Sequence, residues 1–229
     1  MWSACLTGLI AGLIHVFAGP DHLAALAPLS LKARRRAWAV GFRWGLGHSS
    51  GVLVIAVIAF GLRQVVHLEA FSSWGERLVG ATMIVLGLWG LRSLFRDRLH
   101  AHEHHHEGGA DHVHFHVHQT GEKHESAGAH VHTHAAFWVG TLHGLAGTAH
   151  LVGVLPSLAL PTGRETAGYL VAFAAGTIIS MTAFAAIVGG CAPSRSLRAQ
   201  RWGLAATSAL CALTGVAWIV LPLYGVPLP

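Results

Sequence analysis

Long apolar blocks, parted by short charged connections, run the length of the chain. Six can be drawn, at roughly 4–31, 38–62, 70–91, 135–160, 166–191 and 202–226. About 20 apolar residues of helix cross a hydrocarbon core of ~30 Å, so the pattern predicts six membrane-spanning helices. The first block is the least regular. Gly19-Pro20-Asp21 interrupts it, which predicts a broken or re-entrant helix rather than one clean span.

The expected fold class is therefore an all-α polytopic membrane protein. Composition agrees: 53% of the 229 residues are hydrophobic and 11% charged, against about a quarter charged in a soluble domain. The mean hydropathy is +0.53. The formal charge of +5 does not point to nucleic acid, because the basic residues cluster in short connections beside the apolar blocks. Lys32, Arg34, Arg35 and Arg36 follow the first block; Arg92, Arg96, Arg98 and Lys123 follow the third; Arg195, Arg198 and Arg201 follow the fifth. With six spans these connections share one side, and the positive-inside rule makes that side cytoplasmic. Both termini are then expected outside, in a multi-pass protein of the cell inner membrane. The start of the chain lacks a basic region and a small-residue cleavage site, so no secretory signal is expected.

Three units follow. Residues 1–97 and 135–229 each hold three spans, and 98–134 is a histidine-rich connection containing 13 of the 19 histidines. It has almost no aliphatic residues beyond a few valines and is expected to be flexible. The two membrane units repeat each other. Gly12, His15, Gly19, His22 and Pro28 recur 128 residues later at Gly140, His143, Gly147, His150 and Pro156. A weaker echo relates Phe42, Gly45 and Ser49 to Phe173, Gly176 and Ser180, 131 residues on. Three spans per copy turn the second copy upside down, the inverted-repeat arrangement of transporters with a site near the midplane.

The chemistry lies in the same motif. His15, Asp21 and His22 fall inside an apolar block, where an ionisable group costs a few kcal/mol on insertion scales unless something compensates it. A bound cation does so, and imidazole with carboxylate suits nickel, cobalt, zinc or iron. On an unbroken helix, seven residues separate His15 from His22 by about 10.5 Å of rise, too far for one ion; a break at Gly19-Pro20 brings them together. The bland reading is a buried polar network pinning helices. His143 and His150 are the matching pair in the second copy, with Ala149 where the first has Asp21; they are ligands or interhelical hydrogen-bonding histidines. His48, in Gly45-Leu-Gly-His-Ser-Ser50, lies in the second span and points to a pathway, with Ser49, Thr177 and Ser180 beside it or hydrogen-bonded to their own helix backbone. The alternating histidines 112–118 and 130–134 suit metal buffering or sensing. Arg43, Glu76 and Arg77 fall near span ends and carry no assigned role. Cys5, Cys191 and Cys211 form no CxxC pair and are expected as small buried side chains, which sets the chain apart from thiol-transporting membrane proteins of similar size.

HVFAGPDHLAAL resembles the His-x4-Asp-His signature of the nickel/cobalt transporter family, GLGHSS resembles its second motif, and LHGLAGTAH a motif in the second half of its urease-accessory-like members. Five residues separate His15 from Asp21, closer to the hydrogenase/urease accessory permeases, and the six spans match the histidine-loop exporters. The resemblance implies nickel or cobalt permeation with His15, Asp21, His22 and His48 essential. The expectation is a non-enzymatic transporter that carries Ni2+ or Co2+ as cargo and needs no prosthetic group. Its partners would be the metal ion and the lipid bilayer, with a homo-oligomer or metallochaperone as further possibilities. The competing readings are a zinc transporter, a membrane-embedded histidine-box metalloenzyme, and a nickel-binding accessory or sensor protein.

Overall fold

The computed structural model describes residues 1–62, 68–96, 98–104, 112–118, 133–145, 153–157, 159–192 and 196–226. It is a helical membrane fold. Helix α1 (Trp2–Ala18) ends at Gly19, whose extended backbone (φ −95°, ψ 99°) turns the chain. Helix α2 (Pro20–Ala33) starts on Pro20, which lacks the N–H that a first helical residue would leave unbonded. The first apolar block is thus two helices meeting at the Gly-Pro step. Arg34 closes α2 with φ 51°, a left-handed conformation costing of order 1–3 kcal/mol for a non-glycine residue. A 3-10 turn (Arg34–Arg36) leads into α3 (Ala37–Leu62).

Helix α4 (Leu68–Arg96) is followed by two strands, β1 (Arg98–His104) and β2 (His112–His118). They pair antiparallel, with His100 opposite His116 and His104 opposite His112. The expected flexible connection therefore contains a hairpin. The alternating His-Val-His-Phe sequence has the period of two that a strand requires. Helix α5 (Thr133–Leu145) and a short helical stretch at 153–157 stand where one block was expected. Helix α6 (Gly163–Gly190) is capped by Thr162, which accepts from the Glu165 N–H. Helix α7 (Leu197–Val220) is capped likewise by Ser196, which accepts from the Ala199 N–H.

Among the described residues, four helical stretches are long and apolar enough to cross a bilayer: 20–57, 74–94, 163–190 and 197–224; α1 is a shorter apolar helix. Large apolar side chains such as Phe17, Val57, Val85, Trp138, Val171, Ile187 and Trp202 point outward. Water would penalise such a surface, whereas hydrocarbon accepts it.

Packing follows a two-fold exchange. Helix α1 packs on α6, α5 on α3, α3 on α6, and α4 on α7. A Cβ at Gly176 would overlap the Leu9 carbonyl and the Leu13 nitrogen; one at Gly47 would overlap the Phe137 carbonyl and the Thr141 nitrogen. A Cβ at Gly12 would meet the Phe173 carbonyl, and one at Gly140 the Trp44 carbonyl. Gly80 and Gly215 meet each other's carbonyls. Each crossing rests on glycine because the backbones touch, as in small-residue packing within membranes. These crossings relate α1 to α5 at the expected offset of 128 but α3 to α6 at 129, so Trp44 matches Phe173 and Gly47 matches Gly176. The 131-residue echo is corrected by two positions: it aligned sequence letters, whereas the contacting backbone aligns the crossing glycines.

Candidate metal centre

The break at Gly19 builds the centre. His15 lies in the last turn of α1 and His22 in the first turn of α2, joined by the Gly19 N–H bonded to the His15 carbonyl (3.1 Å) and the His22 N–H bonded to the Gly19 carbonyl (3.1 Å). The two imidazole centroids are 4.8 Å apart, about half the rise an unbroken helix would impose. Glycine is required at the step for space rather than for φ. A Cβ on Gly19 would run into the His22 ring and the Asp21 carboxylate.

Asp21 links the two copies of the repeat. One carboxylate oxygen bonds His22 Nδ1 at 2.9 Å and the other bonds His143 Nε2 at 3.0 Å. An ionised carboxylate only accepts, so both imidazole nitrogens carry the proton. In a neutral imidazole the opposite ring nitrogen, Nε2 of His22 and Nδ1 of His143, then holds the lone pair. This is the tautomer control that carboxylates exert on metal-ligating histidines. Position adds to it: Asp21 sits in the first turn of α2, where the helix dipole favours negative charge.

His48 comes from α3, with its ring 4.9 Å from His22, 5.6 Å from His15 and 5.9 Å from His143. Its carbonyl lies where Gly144 has no side chain, so α3 and α5 close on one another and bring His48 to His143. His22, His48 and His143 are at most 1% exposed and Asp21 4%; His15 is partly buried. Two sets have ligand atoms within 4.8 Å of one another: His15, His22 and His48, and Asp21, His22 and His143. Four elements, α1, α2, α3 and α5, thus bring together five of the six residues singled out in the sequence. The sixth, His150, lies outside the described residues.

The hydroxyls expected to line the route or to bond their own helix backbone reach the backbone of a neighbouring helix instead. Ser49 bonds the Ala174 carbonyl (3.4 Å), Thr177 the Gly12 carbonyl (3.5 Å) and Ser180 the Leu13 carbonyl (3.1 Å). Each ties one helix to the backbone of another. Arg77 lies over the Trp74 ring, a local contact. Cys211 is buried, but Cys5 is only partly so and Cys191 is exposed, so the expectation of three buried thiols holds for one.

Two aromatic walls escaped the sequence reading. Trp44 lies 6.0 Å from the His143 ring and Phe173 lies 5.4 Å from the His15 ring. At the 129-residue offset they are each other's counterparts, and His15 and His143 are counterparts too. Each copy thus sets an aromatic ring against the other copy's first histidine. The signal was present: Trp44 stands one turn before His48.

Comparison with known proteins sets these features in a family. Two Arabidopsis thaliana proteins, Chloroplast protein FOR GROWTH AND FERTILITY 2 and 1, are 34% and 32% identical to the chain, each over 96% of it. The chain spans 56% and 59% of their lengths. Urease accessory protein UreH of Bacillus sp. (strain TB-90) is 27% identical over 80% of this chain and 74% of its own. No solved structure matches. Residues 3–220, nearly the whole described bundle, match one family of membrane regions. The chain belongs to the family described as cytochrome c biogenesis protein transmembrane region.

Proposed function

We propose that the chain moves a divalent transition-metal cation, nickel or cobalt by preference, across a bilayer through the His15/His22/His48/His143 cluster. The observation that carries this reading is the clamp of Asp21 on His22 and His143, inside a bundle whose outer surface is apolar. Burying four imidazoles and a carboxylate in such a bundle is costly, and a dication that links the imidazoles offsets the cost. Similarity to a urease accessory protein and membership of a membrane family support a metal-related transmembrane role. His22 Nε2, with His15 and His48, would hold the ion, while Asp21 fixes the ring tautomers and lowers the cost of positive charge. The two copies of the repeat, inverted across the membrane, would release it by rocking about the α3–α6 and α4–α7 crossings. The histidine-rich connection would then lie in the cytoplasm and both termini outside.

Proteoliposome flux tests this. Wild type should carry Ni2+ and Co2+, with Zn2+ as the comparison, and His22→Ala should carry none while remaining folded in detergent. Metal binding with no flux in wild type would contradict transport and mark a metal-binding accessory protein instead.

A further inference from the structure

Three helix ends meet at one end of the bundle, and each brings exposed cations. Helix α2 ends on Lys32, α4 carries Arg92 in its last turns, and α7 opens with Arg198 and Arg201. Helix α2 packs on both α4 and α7, and a Cβ on Gly203 would lie 3.7 Å from Leu31 Cδ1. Two of the cations are held in place. Lys32 Nζ lies 4.4 Å from the centroid of the Trp89 ring. Arg201 Nη2 donates to the Leu94 carbonyl at 3.3 Å, near the end of α4 where the helix leaves its own carbonyls without partners. Arg92 stands three residues after Trp89 and so shares its face of α4; Arg198 stands likewise to Arg201 on α7. The carboxylates of the described helices lie elsewhere: Asp21 in the first turn of α2, Glu69 and Glu76 in the first half of α4, and Glu165 in the first turn of α6. Asp97, which follows α4, falls outside the described residues.

We propose that Lys32, Arg92, Arg198 and Arg201 form a binding site for the phosphate of one anionic phospholipid of the surrounding bilayer. Membrane orientation needs only that basic residues lie in the connections on one side. It does not need them gathered from three distant parts of the chain, nor fixed on an indole and a helix end. Basic pockets between membrane helices suit lipid headgroups. A guanidinium has five N–H donors, so Arg201 can hold Leu94 and still donate to a phosphate oxygen. Trp89 and Trp202 are both exposed at this end, and indole rings favour the level of the headgroups. Deeper along α4, Leu88 and Val85, four and seven residues before Arg92, face outward. Helix α7 presents Leu210 and Leu213 in the same way. Cations above an apolar wall match a phosphate above acyl chains. A zwitterionic lipid brings a cationic group of its own into the cluster, so a net negative headgroup is preferred. The claim concerns this end of the bundle alone and stands whatever the bundle moves.

Native mass spectrometry of the full-length protein in detergent, titrated with dioleoyl phosphatidylglycerol, tests it. Wild type should retain one such lipid per chain, and retain it at least about tenfold more tightly than dioleoyl phosphatidylcholine. Two variants, each losing two positive charges at this end, separate a built site from a diffuse basic belt. Arg92→Gln/Arg201→Gln should weaken the phosphatidylglycerol complex about tenfold or more, whereas Arg35→Gln/Arg36→Gln, in the turn before α3, should stay within about twofold. Equal weakening by the two variants would overturn the proposal. So would equal retention of the two lipids by wild type, a result that needs no variant to fold. Displacement of the lipid by an equal concentration of inorganic phosphate would also overturn it and mark a site for a soluble anion.

Discussion

The two crossings at the heart of the bundle, α1 on α6 and α5 on α3, are nearly the same backbone carrying different chemistry. Gly12 and Gly176 make the first as Gly140 and Gly47 make the second, and an aromatic ring stands by the first histidine of each, Phe173 by His15 and Trp44 by His143. The side chains then diverge. The first copy supplies Asp21, where the second has Ala149. The second crossing buries His48, where its counterpart on α6 is Thr177, bonded to the Gly12 carbonyl. Packing preserves the repeat and chemistry breaks it. One carboxylate serves histidines from both copies, and a centre with a single acid needs less charge buried than a symmetric one with two.

That contrast can be attacked at its chemical side first. His22→Ala removes the imidazole nearest to all the others and should abolish Ni2+ flux in proteoliposomes; flux within twofold of wild type would remove His22 from the centre. Asp21→Asn keeps the shape but takes away the negative charge and one acceptor. Loss of such an orienting partner typically weakens metal affinity by about 10–100-fold. Ni2+ binding should fall within that range, and any dependence of flux on pH that arises from the carboxylate should vanish with it. An unchanged affinity and pH profile would mean that Asp21 only ties helices together.

The packing side predicts equality rather than loss. Gly12→Ala and Gly140→Ala each push a methyl group into a carbonyl of the partnering helix, and overpacking of this kind costs about 1–3 kcal/mol. Thermal unfolding in detergent should show the two variants destabilised alike; a large difference would break the two-fold reading. The smallest effect is expected of Thr177→Ala. It deletes one long interhelical hydrogen bond of 3.5 Å, for which about 0.5–1.5 kcal/mol is an upper range, and Ni2+ affinity should stay within about twofold. His48→Ala, at the matching place in the other copy, should lower it far more.

Much of this was legible in the sequence, and the exceptions have physical causes. The histidine spacing around Gly19-Pro20 showed that a break was needed, because seven residues of helix separate two imidazoles too widely for one ion. The structure places the break there. Sequence could not show that Asp21 reaches His143, since a contact across 122 residues depends on how close α2 and α5 come. The register of the second helix pair was misjudged because Phe, Gly and Ser are common letters in membrane helices, while the true alignment is set by which glycine faces a carbonyl. The Arg34 turn carries no sequence signal, since a left-handed residue is usually glycine or asparagine. The hairpin falls where a flexible connection was expected: the alternating histidines have the period of a strand, but pairing with β1 needs a register that no composition reveals.

The shared ion is the claim on which the rest depends, and metal stoichiometry with the hairpin removed tests it most directly. Deleting residues 100–132 takes away twelve of the thirteen loop histidines, leaving His134, and keeps the cluster in the bundle. Equilibrium dialysis of this protein against Ni2+ should show one ion per chain, lost when His22→Ala is added. No ion bound after the deletion, or an ion that survives His22→Ala, would contradict the account.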